Sequence, residues 1–452
     1  MDLKNICFIE IHTMYKILKG NYNTKDLAQK FNKDDSSVVI FGCGIEGKLL
    51  LYTMSLHNIE VKYFIDSNEK LFGKYYLGIK IISAEELVKL SPDAHIFIAH
   101  QWIIKAIEKL IKLNFKNVYP CLNFLKSIDI SKKINSKKID LYMEPLKLER
   151  IIEIINFNYL KVLADLKIFS KNNGSKKSVD NLVVKHIDVV ITEQCSMKCR
   201  DCSNLMQFYS RPKNSDTNLL FKSMDRLMEC VDHLYEFRII GGDPFMNKEI
   251  YKIINKVVKY KNVDSVVIYT NARIVPKGEN LNCLKNKKVR LQITNYSDSQ
   301  AVLTHPSLVA EHDKTVKVLS SNNIKFVSEK VIKWDDIGTL KFIKETSTQL
   351  RNKFMDCCAN DLFSLLDGVL YKCPVSAHGT NLKAFSFDPN YDGVDLTDEK
   401  IGLKNLKKKL IDFYHNNKYV TACSYCKGRG YGEGEVGAAI QTKKALPFFA
   451  QS

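Results

Sequence analysis

Short apolar runs that end in glycine, asparagine or aspartate and lead into helical periodicity recur along most of this chain. Near its start Val38-Val39-Ile40-Phe41 is apolar throughout, as suits a strand buried on both faces. It leads into Gly42-Cys43-Gly44-Ile45-Glu46-Gly47 and a helical pattern over 48–57. A second strand is expected over 61–65, ending at Asp66, with further strands at 80–82 and 95–99. Strands alternating with helices predict a parallel, doubly wound sheet, assigned to residues 1–125.

Residues 126–180 read as a charged helical connector. Pro145 opens an amphipathic helix on which Leu148, Ile151, Ile152, Ile155 and Tyr159 share a face. A second series of strands is expected at 186–192, 237–240, 265–269, 289–294 and 325–331, with helices over 218–235 and 248–260 between the earlier ones. This repeat suits a partial parallel barrel, assigned to 181–345, and leaves 346–452 as a cysteine-bearing C-terminal domain.

Composition narrows the class. The chain has 452 residues, 45% of them hydrophobic, and no apolar run near 18 residues, so no membrane span is expected. The first twenty residues lack the pattern of a secretion signal, and the expected address is the cytoplasm. The net charge is +18, but the lysines are spread along the chain rather than focused on one face. Nucleic-acid binding is therefore not expected, whereas a phosphorylated substrate such as a nucleotide sugar suits the charge. Thirteen cysteines, an odd number, point to metal binding or catalysis rather than disulfides. Cys7, Cys43, Cys121, Cys230 and Cys283 stand apart and read as small core residues.

Cys195-x3-Cys199-x2-Cys202 sits on the loop leaving the strand at 186–192. Three thiolates in so short a loop reach three corners of one iron–sulfur cubane and leave the fourth iron open to a substrate molecule; ordinary electron-transfer clusters use four cysteines. A structural zinc site is the alternative, but it wants four closed ligands, and the nearest further donor, His186, lies back in the strand. The spacing resembles the CxxxCxxC hallmark of the radical S-adenosylmethionine superfamily. The resemblance implies a partial (β/α)6 barrel and a [4Fe–4S] cluster that cleaves S-adenosylmethionine to methionine and a 5′-deoxyadenosyl radical. That radical abstracts a hydrogen atom from a small-molecule or peptide substrate, and a flavodoxin- or ferredoxin-type donor supplies the electron. Asp201 stands where the family usually carries an aromatic residue. The run Ile239-Ile240-Gly241-Gly242-Asp243-Pro244 resembles the family's GGEP element, with Asp243 for Glu. The resemblance implies that Gly241, Gly242 and Asp243 meet the methionyl ammonium and that Asn271 and Asn295 meet the ribose or carboxylate. Read alone, Gly-Gly-Asp-Pro is a turn and each asparagine a loop initiator.

Farther on, Cys358-x9-Gly368-x4-Cys373 precedes Cys423-Ser424-Tyr425-Cys426. Asp367-Gly368 reads as a hairpin turn that brings the flanking cysteines together. The pattern resembles the SPASM and Twitch auxiliary-cluster domains, and the cysteine count implies the shorter Twitch form. One further [4Fe–4S] cluster on Cys358, Cys373, Cys423 and Cys426 is then implied, with Cys357 able to replace Cys358 and zinc as the alternative metal. The stretch 427–434 is glycine-rich.

Gly42-x-Gly44-x2-Gly47, between a strand and a helix with Asp66 nineteen residues on, meets the dinucleotide-binding fingerprint. The helix N-terminus suits a pyrophosphate and Asp66 a ribose hydroxyl. The segment 64–83 resembles the small Rossmann-like modules of sugar-modifying and surface-glycan enzymes, which bind nucleotide sugars or acyl-coenzyme A or serve for docking. The expectation is thus an α/β chain: a Rossmann-like doubly wound sheet, a partial (β/α)6 barrel and a C-terminal auxiliary Fe–S domain. A nucleotide-linked sugar or surface-glycan precursor and a peptide compete as substrate, and a non-enzymatic iron–sulfur or zinc scaffold is the remaining alternative.

Overall fold

Apolar strands flanked by glycine turns form the sheets, and their registers determine where each loop emerges. A computed structural model describes residues 24–33, 37–99, 103–128, 134–136, 141–143, 152, 155, 181–357, 359, 362–415, 419–429 and 434–447. Most of the helix expected after Pro145, together with Cys7 and Cys358, lies outside the described residues. The chain divides into two compact units, Asp2–Lys177 and Ser178–Ser452.

In the first unit, α1 (Thr24–Lys33) precedes β1 (Val38–Phe41), α2 (Ile45–Leu56), β2 (Val61–Ile65), β3 (Tyr75–Tyr76) and β4 (Ile79–Ile82). Then come α3 (Ala84–Leu90), β5 (His95–Ile98), α4 (Ile103–Lys112) and β6 (Val118–Pro120). The sheet order is β3-β4-β2-β1-β5-β6, parallel except for the β3–β4 pair. The order reverses between β1 and β5, the switch point of a doubly wound sheet. All four β1 residues are buried, and Leu49, Leu50 and Met54 of α2 belong to the same core. The glycine loop leaves β1 at this switch point. Gly42 has a φ of 119°, and a Cβ on Gly47 would lie 2.0 Å from the Gly42 carbonyl oxygen. These two glycines thus permit the turn and the close approach of α2 to β1.

The second unit is built on β7 (Val183–Val190), α5 (Thr217–Cys230), β8 (His233–Ile240), α6 (Ile250–Val257), β9 (Val263–Thr270), β10 (Val289–Asn295), α7 (Ser307–Ser321) and β11 (Phe326–Lys330). Next come β12 (Lys333–Asp335), α8 (Ser347–Asp356), β13 (Phe363–Leu366), β14 (Val369–Tyr371), α9 (Pro374–Asn381), β15 (Gly393–Asp395), α10 (Leu403–His415) and β16 (Glu435–Gly437). Eight strands form one row, β11-β10-β9-β8-β7-β13-β14-β15. The first six are parallel. Among the described residues no pairing joins β11 to β15, so the row is open. The sixth parallel strand, β13, pairs with β7 rather than following β11, and it comes from the segment read as the C-terminal domain. The sheet therefore carries across residue 345 within a single compact unit.

Two sequence expectations are corrected. The helix expected to run to Tyr235 ends at Cys230, because β8 starts at His233. Leu227, Val231 and Leu234 stand at helical spacing in sequence, yet Leu234 is a strand residue paired in register with Val184 and Val263. The connector holds a two-stranded antiparallel pair, Ile134–Ser136 with Leu141–Met143, where a helical connector is expected.

Candidate functional site: two cysteine sets on one parallel sheet

The loop after β7 carries Cys195, Cys199 and Cys202 at the C-terminal ends of the parallel strands, where α/β sheets place their ligands. Its backbone is laid against the turn after β8. Gly242 N donates to Thr192 O at 2.9 Å and Asp243 N to Gln194 O at 2.8 Å. A Cβ on Gly241 would lie 2.3 Å from Thr192 O, and one on Gly242 would lie 2.3 Å from Gln194 O and 2.8 Å from Cys195 Cβ. The two glycines therefore serve close packing of this turn on the cysteine loop. The Gly241 carbonyl is taken by Asn204 Nδ2 at 3.0 Å.

Asp243 is fully buried and engaged at both oxygens. Its Oδ1 accepts from Phe245 N, and its Oδ2 accepts from Thr270 Oγ1 and Asn271 N, all at 2.8–3.0 Å. Burial pushes its carboxyl up, against the hydrogen bond from the Asn271 backbone. Asp243 thus ties the end of β8 to the end of β9. Asn271 reaches the cysteine loop itself: its Nδ2 lies 3.1 Å from Ser196 Oγ and 3.6 Å from Cys195 Sγ. Asn295 makes a local turn, its Oδ1 accepting from Ser297 N at 2.8 Å. Arg273, two residues beyond Asn271, donates to Ser196 O at 2.6 Å and pairs with Glu311 of α7.

N–H donors lie within reach of two of the three sulfurs. Cys195 Sγ accepts from Met197 N at 3.4 Å, and Cys199 Sγ from Gln441 Nε2 at 3.1 Å. Burial pushes the Cys202 thiol up, while the nearby backbone of Met206, Asn204 and Leu205 pulls it down. Burial and then the neighbouring Cys202 push Cys199 up to about 12; burial and then the Asp243 carboxylate raise Cys195. A neutral thiol is a weak acceptor, whereas a thiolate is a strong one. Sulfurs that gather N–H donors suit the thiolate form, the form in which cysteine binds an iron–sulfur cluster. Among the described residues, no three His, Cys, Asp or Glu side chains converge on a point that would hold a single metal ion.

A second set lies farther along the same unit. Asp367 and Gly368 both have positive φ, 44° and 85°, and form the tight turn between β13 and β14 expected from sequence. Cys373 then caps α9, its sulfur accepting from Ser376 N at 3.4 Å. Cys357, Cys373, Cys423 and Cys426 line one small cavity that is partly open to solvent. Ala359 N donates to Cys357 Sγ at 3.5 Å and Gly428 N to Cys426 Sγ at 3.4 Å. Burial pushes Cys423 up to about 12 and Cys426 up to about 11. Of the adjacent pair, Cys357 lines the cavity, and Cys358, the ligand expected from the sequence, lies outside the described residues. We expect Cys357→Ala to lose about four irons per anaerobically reconstituted chain, as read by elemental analysis.

The sequence reading missed several residues near these sets. Tyr296 is one: its phenol is raised well above its usual range by burial and then by Cys199. Arg429 is a second. It lines the cysteine cavity, pairs with Asp335 at 3.4 Å, and its charge acts on Cys202, Cys426 and Asp188. The third is a polar layer on one face of the parallel strands. Arg238 lies 2.8 Å from Glu236 and 3.9 Å from Asp188; Arg290 pairs with Glu236 at 2.8 Å and Gln292 with Glu329 at 3.0 Å. A legible signal existed for this layer. His186-Ile187-Asp188-Val189, Glu236-Phe237-Arg238-Ile239 and Arg290-Leu291-Gln292-Ile293 alternate polar and apolar, whereas parallel strands covered on both faces read as apolar throughout.

Asp188 yields a pH prediction. Burial raises its carboxyl to about 6, with the Arg238 charge pulling the other way. Between its unfolded value near 4 and about 6, the native state holds a proton that the unfolded state has released. This carboxyl therefore stabilises the fold below pH ~4, and that contribution is lost as pH rises through about 6. Asp188→Asn should gain stability relative to the parent by roughly 3 kcal/mol between pH ~4 and ~7, measured by denaturant unfolding of the unloaded protein.

In the first unit, Asp66 Oδ2 accepts from Cys43 N at 2.9 Å and its Oδ1 from Asn68 N at 2.9 Å, so this carboxylate braces the glycine loop. Gly44 caps the N-terminus of α2 without a side-chain hydrogen bond. Cys121, Cys230 and Cys283 are buried as core residues, and Cys43 is half-buried, pushed up to about 12 by burial and Asp66.

Comparison with known proteins agrees with this geometry. Residues 186–303, which contain the cysteine loop, match the family of 4Fe-4S single cluster domains, and residues 34–117 match the family described as C2185-like, N-terminal. The GTP 3′,8-cyclase of Staphylococcus carnosus is 23% identical over 188 residues, 38% of this chain and 55% of that protein. That of Clostridium acetobutylicum is 25% identical over 125 residues, 27% of this chain and 39% of that protein. The chain thus spans about half the length of the first of these relatives and less of the second. Among solved structures, BtrN in complex with AdoMet and 2-DOIA is 13% identical, with a TM-score of 0.32 over 59% of this chain and 98% of that one. Streptococcus suis SuiB bound to S-adenosylmethionine is 11% identical, with a TM-score of 0.30 over 70% and 77%. The CxxxCxxC loop at the end of the first parallel strand, the cluster-domain match around it and the cyclase relatives together show that the chain belongs to the radical S-adenosylmethionine superfamily.

Proposed function

We propose that this chain is an enzyme that reductively cleaves S-adenosylmethionine and uses the resulting radical to take a hydrogen atom from a small polar substrate. The observation that carries the reading is the cysteine loop: three cysteines at the C-terminal ends of parallel strands, Cys199 buried and the other two half-buried, with N–H donors on Cys195 and Cys199. Cys195, Cys199 and Cys202 would hold three irons of a [4Fe–4S] cluster. When bound, that cluster supplies the electron and an open iron for the amino and carboxylate groups of S-adenosylmethionine. Asn271, already on Cys195, and Asn295 are assigned to orient the S-adenosylmethionine. Gly241, Gly242 and Asp243 bear on it by holding the loop backbone in place. Cys357, Cys373, Cys423 and Cys426 would hold an auxiliary cluster, their cavity and N–H donors suiting it.

The polar layer of Asp188, Glu236, Arg238 and Arg290 favours a hydroxylated or charged small molecule over an apolar one. A nucleotide-linked sugar fits that chemistry and the doubly wound first unit. There Gly42, Gly44 and Gly47 would admit a pyrophosphate to the start of α2, and Asp66 would reach a ribose once it exchanged one of its backbone partners. A cytoplasmic setting with a flavodoxin- or ferredoxin-type donor suits the required reduction. Anaerobic reconstitution followed by a 5′-deoxyadenosine assay tests the proposal. A fully loaded, reduced protein that forms no 5′-deoxyadenosine with nucleotide sugars or with peptides would leave the scaffold alternative standing.

A further inference from the structure

Residues 438–442 lie against the cysteine loop more than 240 positions earlier in the chain. Cys199 and Gln441 form an antiparallel bridge; Arg200 N donates to Ile440 O at 2.7 Å and Thr442 N to Lys198 O at 2.7 Å. Ala438 and Ala439 are fully buried, and the preceding strand β16 is paired with β12. The Gln441 side chain bridges the pairing. Its Oε1 accepts from Lys198 N at 2.7 Å, and its Nε2 donates to Ala439 O at 2.6 Å and to Cys199 Sγ at 3.1 Å. Chemistry determines which way the amide points. Lys198 presents an N–H, so the facing atom must be the oxygen, and the NH2 group is left for the carbonyl and the sulfur. This contact is shorter than those made to Cys195, at 3.4 and 3.6 Å.

We propose that Gln441 is a positioning residue that raises the reduction potential of the cluster held by Cys195, Cys199 and Cys202. The inference rests on the cluster reading of that loop. Reduction adds one electron from a low-potential donor such as dithionite and breaks no bond. The added charge spreads onto the cysteine sulfurs, so an N–H donor on Cys199 stabilises the reduced state more than the oxidised one. The docking of residues 438–442 is thereby coupled to the ease of that reduction.

Two variants separate the donor from the docking. Gln441→Glu keeps an oxygen for Lys198 N and replaces the donor to the sulfur and to Ala439 O with a carboxylate oxygen; Gln441→Leu removes all three side-chain contacts. Each is reconstituted in the full chain and titrated with dithionite. The cluster is followed by the electron paramagnetic resonance signal that the Cys195→Ala, Cys199→Ala, Cys202→Ala triple variant lacks. The expected result is a ratio of reduced to oxidised cluster, at fixed poise, about tenfold lower in Gln441→Glu, equivalent to about 59 mV for one electron. Gln441→Leu should fall in the same direction by a smaller factor. Unchanged potentials in both loaded variants overturn the proposal. Where a variant fails to load, the parent chain carrying ¹⁵N-glutamine decides: the reduced cluster should show a ¹⁵N hyperfine coupling, and its absence overturns the proposal. A parent chain that forms no reducible cluster on this loop overturns the cluster reading and this inference with it; a loaded cluster of unchanged potential overturns this inference alone.

Discussion

Converting Cys195, Cys199 and Cys202 together to alanine should abolish 5′-deoxyadenosine formation while leaving the chain folded. Iron should fall from about eight to about four per chain, because the second cysteine set has its own donors and cavity. The fold should persist because backbone contacts that need no sulfur hold the loop. Gly242 N meets Thr192 O, Asp243 N meets Gln194 O, and residues 440–442 pair with Lys198 and Arg200. The measurement is iron content beside a chromatographic assay of 5′-deoxyadenosine under reducing conditions. Product from the triple variant, formed at the parent rate, would sink the assignment of these cysteines.

The second large effect is expected from a residue that carries no chemistry. Gly242→Ala should remove the first cluster and spare the second, leaving about four irons per chain. The new Cβ would meet Gln194 O at 2.3 Å and Cys195 Cβ at 2.8 Å. The oxygen is backbone, pinned by its hydrogen bond from Asp243 N, so no flexible side chain can yield. Overpacking of this kind costs about 1–3 kcal/mol and displaces backbone, and here the displaced segment carries the first ligand. Gly402→Ala, with open space around the added carbon, is the control and should keep both clusters. Retention of about eight irons in Gly242→Ala would mean that the cysteine loop tolerates the shift, and that its seating on this turn is not what positions Cys195.

The contrast between these two substitutions shows where legibility ends. CxxxCxxC is a local feature: the ligands lie within eight residues of one another, so their spacing alone points to one shared site. The Gly-Gly-Asp-Pro run was equally visible, but its partners were not. In sequence it suggests ligand contact; in space its glycines also admit residues 192–195 at close range, and both Asp243 oxygens accept internal hydrogen bonds. The strand–turn–helix element that carries the glycine fingerprint is legible in sequence, because Gly42 and Gly47 act on each other within six residues.

By itself the sequence determined the alternation of strands and helices, the doubly wound first unit, the cysteine loop after the first strand of the second unit and the turn at Asp367-Gly368. All of these follow from short-range periodicity, turn chemistry and ligand spacing. Tertiary structure alone decided that β13 joins the sheet beside β7, that Cys357 lines the second cavity, and that Arg429 acts on Cys202, Cys426 and Asp188. It also decided that Gln441 donates to Cys199 across more than 240 residues of chain. The physical reason is common to these. A strand's neighbour and a sulfur's hydrogen-bond donor are chosen by which long-range pairing buries the most apolar surface and leaves the fewest polar groups unsatisfied, a competition that no local window of sequence contains.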